Sequence, residues 1–176
     1  YAIDHPNEVA SLTLIAPISP YGYCGSKLDG TPCYPDWAGS GSGTASKEMV
    51  QRFRDGDRST DSFLSPRNLL KLVCWSVNHI ESEERVDILL DEILKADFRE
   101  EAYPGDSNES PNWPYFSPGT TGLLNAISGK YCNWSKIVDI APKPPVLWTY
   151  GTDDNVISDG TAMETGRLGK LGVIEG

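Results

Sequence analysis

The sequence predicts an α/β protein, and three observations carry that prediction. Two short apolar runs with β-favouring residues, at 9–17 and 146–150, read as buried strands. Between them, apolar residues recur at helical spacing in three separate stretches. Two adjacent carboxylates, Asp153 and Asp154, stand just past the end of the second run. In open α/β sheets that is where ligands and catalytic groups are placed.

The elements come in this order. Residues 1–8 read Tyr-Ala-Ile-Asp-His-Pro-Asn-Glu, the tail of a helix. His5 precedes Pro6, and the residue before a proline is pushed out of the helical region. Residues 9–17, Val-Ala-Ser-Leu-Thr-Leu-Ile-Ala-Pro, form the first strand, closed by proline. Residues 18–43 read as loop, ending in Gly39-Ser40-Gly41-Ser42-Gly43. Ser46 is expected to cap a helix with Met49, Val50 and Phe53 on one face, ended by Gly56. Ser65-Pro66 starts a second helix, a capping residue followed by proline in the first turn. It carries Leu69, Leu70, Val73, Cys74 and Val77 and runs to about Asn78. Ser82 opens a third, with Glu83 and Glu84 at its positive end and a stripe of Val86, Leu89, Leu90, Ile93 and Leu94. Residues 99–118 read as a second proline-rich loop, 121–127 as a short helix, and 134–140 as the approach to the second strand. Pro144-Pro145 stop the segment before that strand, and Gly151 turns the chain after it. Residues 161–168 read as a helix before a Gly-rich end.

Neighbouring parallel strands need only about a dozen connecting residues. The stretch between these two is far longer, so it reads as a subdomain. The expected division is residues 1–19 and 138–176 as core, with 20–137 as a helical lid over the carboxyl edge of the sheet.

Composition narrows the function. The chain has 176 residues, 39% hydrophobic and 23% charged, which suits one globular domain. Its formal net charge of −10 leaves no basic stripe for nucleic acid or an anionic membrane. No run approaches the roughly 18 apolar residues that read as a membrane span. The four cysteines, Cys24, Cys33, Cys74 and Cys132, form no C-x-x-C pair, and with only two histidines zinc is not expected. Cys24 and Cys33 bridge a loop if the protein is exported; free thiols in the cytoplasm fit equally, and the compartment stays open, with the cytoplasm favoured. The patterns at Asn108 and Asn133 match the glycosylation motif, but so short a match carries no weight.

A bare Asp-Asp after a strand is more often a solvated turn than a site. Its context changes that balance. The segment Tyr-Ala-Ile-Asp-His-Pro-Asn-Glu-Val-Ala-Ser-Leu-Thr-Leu-Ile-Ala-Pro is similar to the stretch after the nucleophile in α/β-hydrolases: a helix ending in His-Pro, then a strand. Pro-Val-Leu-Trp-Thr-Tyr-Gly-Thr-Asp-Asp-Asn-Val-Ile-Ser resembles that family's later strand, with a G-x-x-D turn bearing the acid of the triad. The family's helical lid lies between these strands. The resemblance covers about 35 residues and implies a partial α/β-hydrolase core of parallel strands with a large helical lid inserted between two of them. It implies nucleophilic hydrolysis of a small apolar ester or amide by a nucleophile, a histidine base and an acid, with no metal or cofactor. By the G-x-x-D spacing from Gly151 the acid is Asp154, and Asp153 is its solvated neighbour.

The chain departs from the family pattern in two ways. The nucleophile motif G-x-S-x-G is absent from it, and no histidine comes after Asp154. His5 sits in the helix-terminal pair, and His79 lies in the lid and matches no motif. The resemblance therefore implies a fragment carrying the lid and one triad member, inactive by itself. Two alternatives stand beside it: a non-catalytic binding member of the same fold, and an epoxide hydrolase or dehalogenase with an Asp nucleophile.

Weaker candidates have plainer readings. The 39–43 glycine-serine run before a helix suggests phosphate, but no strand precedes it and the spacing fails, so a flexible hinge is expected. Glu81, Glu83, Glu84, Asp87, Asp91 and Glu92 read as the wet face of the third helix. Trp37, Trp75, Trp113, Tyr115, Phe116 and Trp134 divide between a substrate pocket and lid core.

Overall fold

The computed structural model describes residues 1–76, 78–154, 156–157, 170 and 172. The helix expected at 161–168 lies outside them, as do Val77, Ser158 and Asp159. The described residues form a mixed α/β arrangement built on a two-stranded parallel sheet. β1 (Leu12–Ile15) pairs with β4 (Val146–Thr149) in the register Leu12 to Val146 through Ile15 to Thr149. The ladder extends one bond at each end: Leu12 N–H donates to Pro145 O at 2.9 Å, and Ala16 N–H to Thr149 O at 2.8 Å. The first strand is shorter than the apolar run. Val9 N–H is used to close a 3-10 turn over Pro6–Glu8, and Ala16 adopts a left-handed φ of 41°. Residues 1–8 form turns, not the tail of an α-helix, because the proline that ends one helix also opens a 3-10 turn.

The strands were expected to be buried, and the structure corrects this. Leu12 and Leu14 are half-buried, while every residue of β4 is exposed, Trp148 by 61%. Parallel strands rich in apolar residues are ordinarily covered on both faces. Among the described residues nothing packs over the faces of this pair closely enough to do so.

The core lies in the middle segment, residues 16–145. Three helices form where capping and periodicity place them: α1 (Lys47–Arg54), α2 (Pro66–Cys74) and α3 (Glu83–Ile93). Ser46 and Ser82 act as caps, their hydroxyl oxygens accepting from Met49 N–H at 3.3 Å and Arg85 N–H at 3.2 Å. Ser65 instead donates its hydroxyl to Ser62 O at 2.9 Å, and Pro66 begins α2. α2 stops at Cys74, short of Asn78, because Trp75 is extended. Leu70, Val86 and Leu90 meet in a core to which Trp75, Leu89, Ile93 and Leu94 add partly buried surface. The acidic residues of α3 are exposed, and Arg67 pairs with both Glu83 and Asp87 across from α2.

The proline-rich loop holds an element with no sequence signal. β2 (Ser107–Glu109) pairs antiparallel with β3 (Phe116–Pro118). Ser-Asn-Glu and Phe-Ser-Pro lack strand alternation, so the pairing comes from how the loop is held. α4 (Leu123–Ala126) comes next, shorter than the expected 121–127 helix. Its Asn125, 1% exposed, is the knot of this region. Its Oδ1 accepts from Ser42 N–H at 3.0 Å, and its Nδ2 donates to Thr121 O at 2.6 Å and Asp106 O at 2.8 Å. The Asp106 carboxylate accepts from Thr121 and Thr120 N–H at 2.7 Å each, and these bonds hold it below the usual carboxylate range. Asp36 is depressed in the same way by Ser110 Oγ–H at 2.6 Å, with Asn112 Nδ2–H also donating to it.

The 39–43 run is packed here and is not a flexible hinge. Gly39 through Ser42 are buried. Gly39 N–H donates to Phe116 O at 3.0 Å, and Ser42 Oγ–H to Pro104 O at 2.7 Å. Gly41 has a φ of +76° and lies so close to Pro118 and Asn125 that a Cβ would collide with both. With Ser42 N–H already spent on Asn125, and with β3 beside the run instead of a strand leading into it, the phosphate idea fails as well.

Candidate functional site

The site is built where β4 ends. Thr149 makes the last ladder contact, and the chain turns through Gly151, with Asp154 N–H donating to Gly151 O at 3.3 Å. Asp154 is half-buried. Its Oδ1 accepts from Val156 N–H and Ile157 N–H, both at 2.8 Å. An aspartate folding its side chain onto the next backbone amides is a common turn device. Here it also fixes the carboxylate, because one oxygen is held by two donors. Among the described residues no donor bonds to Oδ2.

Asp153 differs from the expectation of a merely solvated neighbour. It is exposed, but its Oδ2 accepts from Ser76 Oγ–H at 2.6 Å. Ser76 lies just beyond α2, so the end of that helix is tied to the turn after β4. The two segments enclose a cleft of about 370 Å³. Val73, Cys74, Trp75 and Ser76 form one wall, and residues 151–154 form the other. One wall is thus mainly apolar and the other carries two carboxylates. Desolvation pushes the Cys74 thiol up, although the residue keeps much of its solvent exposure.

The histidines are not part of the cleft lining. His79 is exposed, stacks on Trp75 with ring centroids 6.2 Å apart, and turns Nε2 toward Glu81 Oε2 at 3.5 Å. His5 sits in the N-terminal turn, 4.7 Å from the Tyr1 ring and with Nδ1 3.8 Å from Glu8. No three His, Cys, Asp or Glu side chains converge as a metal site among the described residues.

A larger hollow, about 620 Å³, lies elsewhere, on the face of the sheet that carries Leu12, Leu14, Val146 and Trp148. Tyr21, Trp134 and Ile137 stand across from it. It has the greater volume but lacks the two carboxylates of the turn, so the smaller cleft is the site where their chemistry resides. The aromatics divide accordingly. Trp75 lines the cleft, Trp134 the hollow, Phe116 packs against Gly43, Trp37 against Gly129, and Tyr115 is exposed.

Sequence reasoning missed Ser76. No local motif marks it, since its partner is 77 positions away and meets it only through the placement of α2. Comparison of the chain with family models, with curated proteins and with solved structures found no match.

Proposed function

We propose that the chain is the acid-bearing part of an α/β-hydrolase, in which Asp154 orients and stabilises a histidine base and the middle segment serves as the lid. The observation that carries this is the pairing of β1 with β4. They are parallel and in register although residues 16–145 separate them, and a half-buried aspartate stands just past the carboxyl end. Parallel pairing across so long an insertion suits a sheet with a lid, and the open sheet faces suit strands that belong to a larger sheet. The Oδ1 bonds suit the role too. A carboxylate held rigidly by two amides presents its second oxygen in a fixed direction, as a group that orients an imidazole N–H must. The nucleophile and the base, absent as motifs from these 176 residues, come in this reading from the rest of the parent chain. The mainly apolar wall at 73–76 suits a small apolar ester or amide.

The Oδ1 bonds also favour a second reading, in which Asp154 only shapes the turn of a non-catalytic binding protein. Asp154→Asn separates the two. Asparagine keeps an Oδ1 for Val156 and Ile157, so the turn survives, but the charge and the correct histidine tautomer are lost. In the parent protein, p-nitrophenyl acetate hydrolysis should fall by about a thousand-fold or more with unchanged thermal stability. The 176-residue chain by itself should show no turnover above background. A parent protein with no esterase or amidase activity, or one indifferent to Asp154→Asn, would favour the turn-forming role.

A further inference from the structure

We infer that Cys24 and Cys33 are a redox pair that closes a covalent hairpin when oxidised. The four cysteines carry thiols in this structure. The backbone brings these two together in a way their separation in sequence did not require. Cys33 N–H donates to Gly25 O and Lys27 N–H to Thr31 O, both at 2.8 Å, and Ser26 and Pro32 face each other as an antiparallel bridge. Gly25 is therefore directly opposite Cys33. Opposed residues in such a pair have Cα atoms about 5.5 Å apart, and Cys24 is the immediate chain neighbour of the residue that faces Cys33, which sets the two cysteines near the span a disulfide bridges.

In a regular ladder, residues offset by one position would point to opposite faces. That alternation is broken here. Cys24 and Gly25 both have left-handed backbones, with φ of 64° and 76°. A left-handed conformation at a non-glycine residue is uncommon. At Cys24 and Gly25 it breaks the pleat at the residue facing Cys33 and at the one before it. The hairpin is otherwise preformed: Asp29 accepts from both Thr31 N–H and Thr31 Oγ–H, and Gly30 N–H donates to Lys27 O. Closure then costs little ordering.

Exposure assigns the order of events. Cys33 is exposed and Cys24 half-buried. With a glutathione disulfide as oxidant, the Cys33 thiolate attacks one of its sulfurs, forms a mixed disulfide and releases one glutathione thiolate. The Cys24 thiolate then attacks the Cys33 sulfur and releases the second. The two protein thiols lose two electrons and two protons, and the oxidant becomes two glutathione thiols. The Tyr21 ring packs over Gly30 at the tip of this hairpin and also lines the larger hollow, so closure would fix one wall of that hollow.

Cys132 is the competing partner, because its backbone lies beside Gly22. The test is incubation of the 176-residue chain with glutathione disulfide, followed by alkylation and mass mapping. Trypsin cuts after Lys27, between the two cysteines, so the bridge would join two otherwise separate peptides. The expected result is a Cys24–Cys33 cross-linked peptide pair, with alkylated cysteines falling from four to two in the unsubstituted chain and from three to one in Cys132→Ser. Cys24→Ser should leave Cys33 as a stable glutathione adduct. A Cys24–Cys132 link, retention of four alkylated cysteines, or a lasting adduct on Cys33 in the unsubstituted chain would overturn the inference. The pair is independent of the hydrolase reading, and its test requires no activity.

Discussion

Leu90 in α3 has no solvent exposure, whereas Leu147 in β4 is 59% exposed. Both belong to apolar runs, and both sit in regular, fully formed elements. The difference is in what lies across from them. α3 meets α2, so Leu90, with Val86 one turn away on the same helix, finds Leu70 across from it. The sheet has two strands and no covering layer among the described residues. Backbone pairing thus joins each strand to the other along one edge without burying their side chains. The middle segment gains its stability from packing and polar networks of its own, while the sheet contributes alignment: it brings residues 151–154 to the end of α2.

This contrast can be broken by mutation, and the largest effect belongs in the middle segment. Leu90→Ala removes a fully buried side chain from the small core and should cost about 3 kcal/mol in chemical denaturation. A cost below about 1 kcal/mol would mean that this core does not hold the segment together. Asn125→Ala strands Ser42 N–H and the carbonyls of Thr121 and Asp106, and should cost about 2 kcal/mol. Protease cleavage within 39–43 should rise in that variant, since Asn125 holds the run in place.

Acid sharpens the comparison further. Asp106 and Asp36 have carboxyls held below their ordinary value by hydrogen bonds, first from Thr121 N–H and Ser110 Oγ–H respectively. The native state therefore binds a proton more weakly than the unfolded chain. Their contribution is fully present above the unfolded value and is lost as pH falls through the lowered native one. Hydrogen exchange should loosen around residues 36–42 and 104–125 below about pH 4. The smallest effect is expected in the sheet. Trp148→Ser, opposite Leu14, should cost less than about 1 kcal/mol in this chain. A cost above 2 kcal/mol, taken as roughly the lower bound for a buried large-to-small change, would show that the sheet face is covered in solution.

Local signals in the chain carried a good share of this. Ser46 and Ser82 announced their helices because capping is a short-range hydrogen bond. The stripe from Val86 to Leu94 announced its buried face, because an apolar period of helical spacing has one natural use. Residues 146–150 announced a strand, and Gly151 with the acids announced a turn at its end. That the two strands run parallel was what the family resemblance implied, and the structure shows them paired in parallel. The features that escaped all depend on distant partners. The β2–β3 ribbon has no alternation to reveal it. The Gly39-Ser40-Gly41-Ser42-Gly43 run looks flexible until Asn125 and Pro118 are set against it.

What the sequence by itself determined, then, is the set of local elements and the position of Asp154 at the end of one of them. Spacing, caps and turn residues act over a few positions, so they are written in the order of the residues. Tertiary structure alone decided that β4 is exposed, that Ser76 reaches Asp153, and that Asn125 locks the 39–43 run in place. Each of those depends on which surfaces meet, and that is set by the packing of segments far apart in the chain.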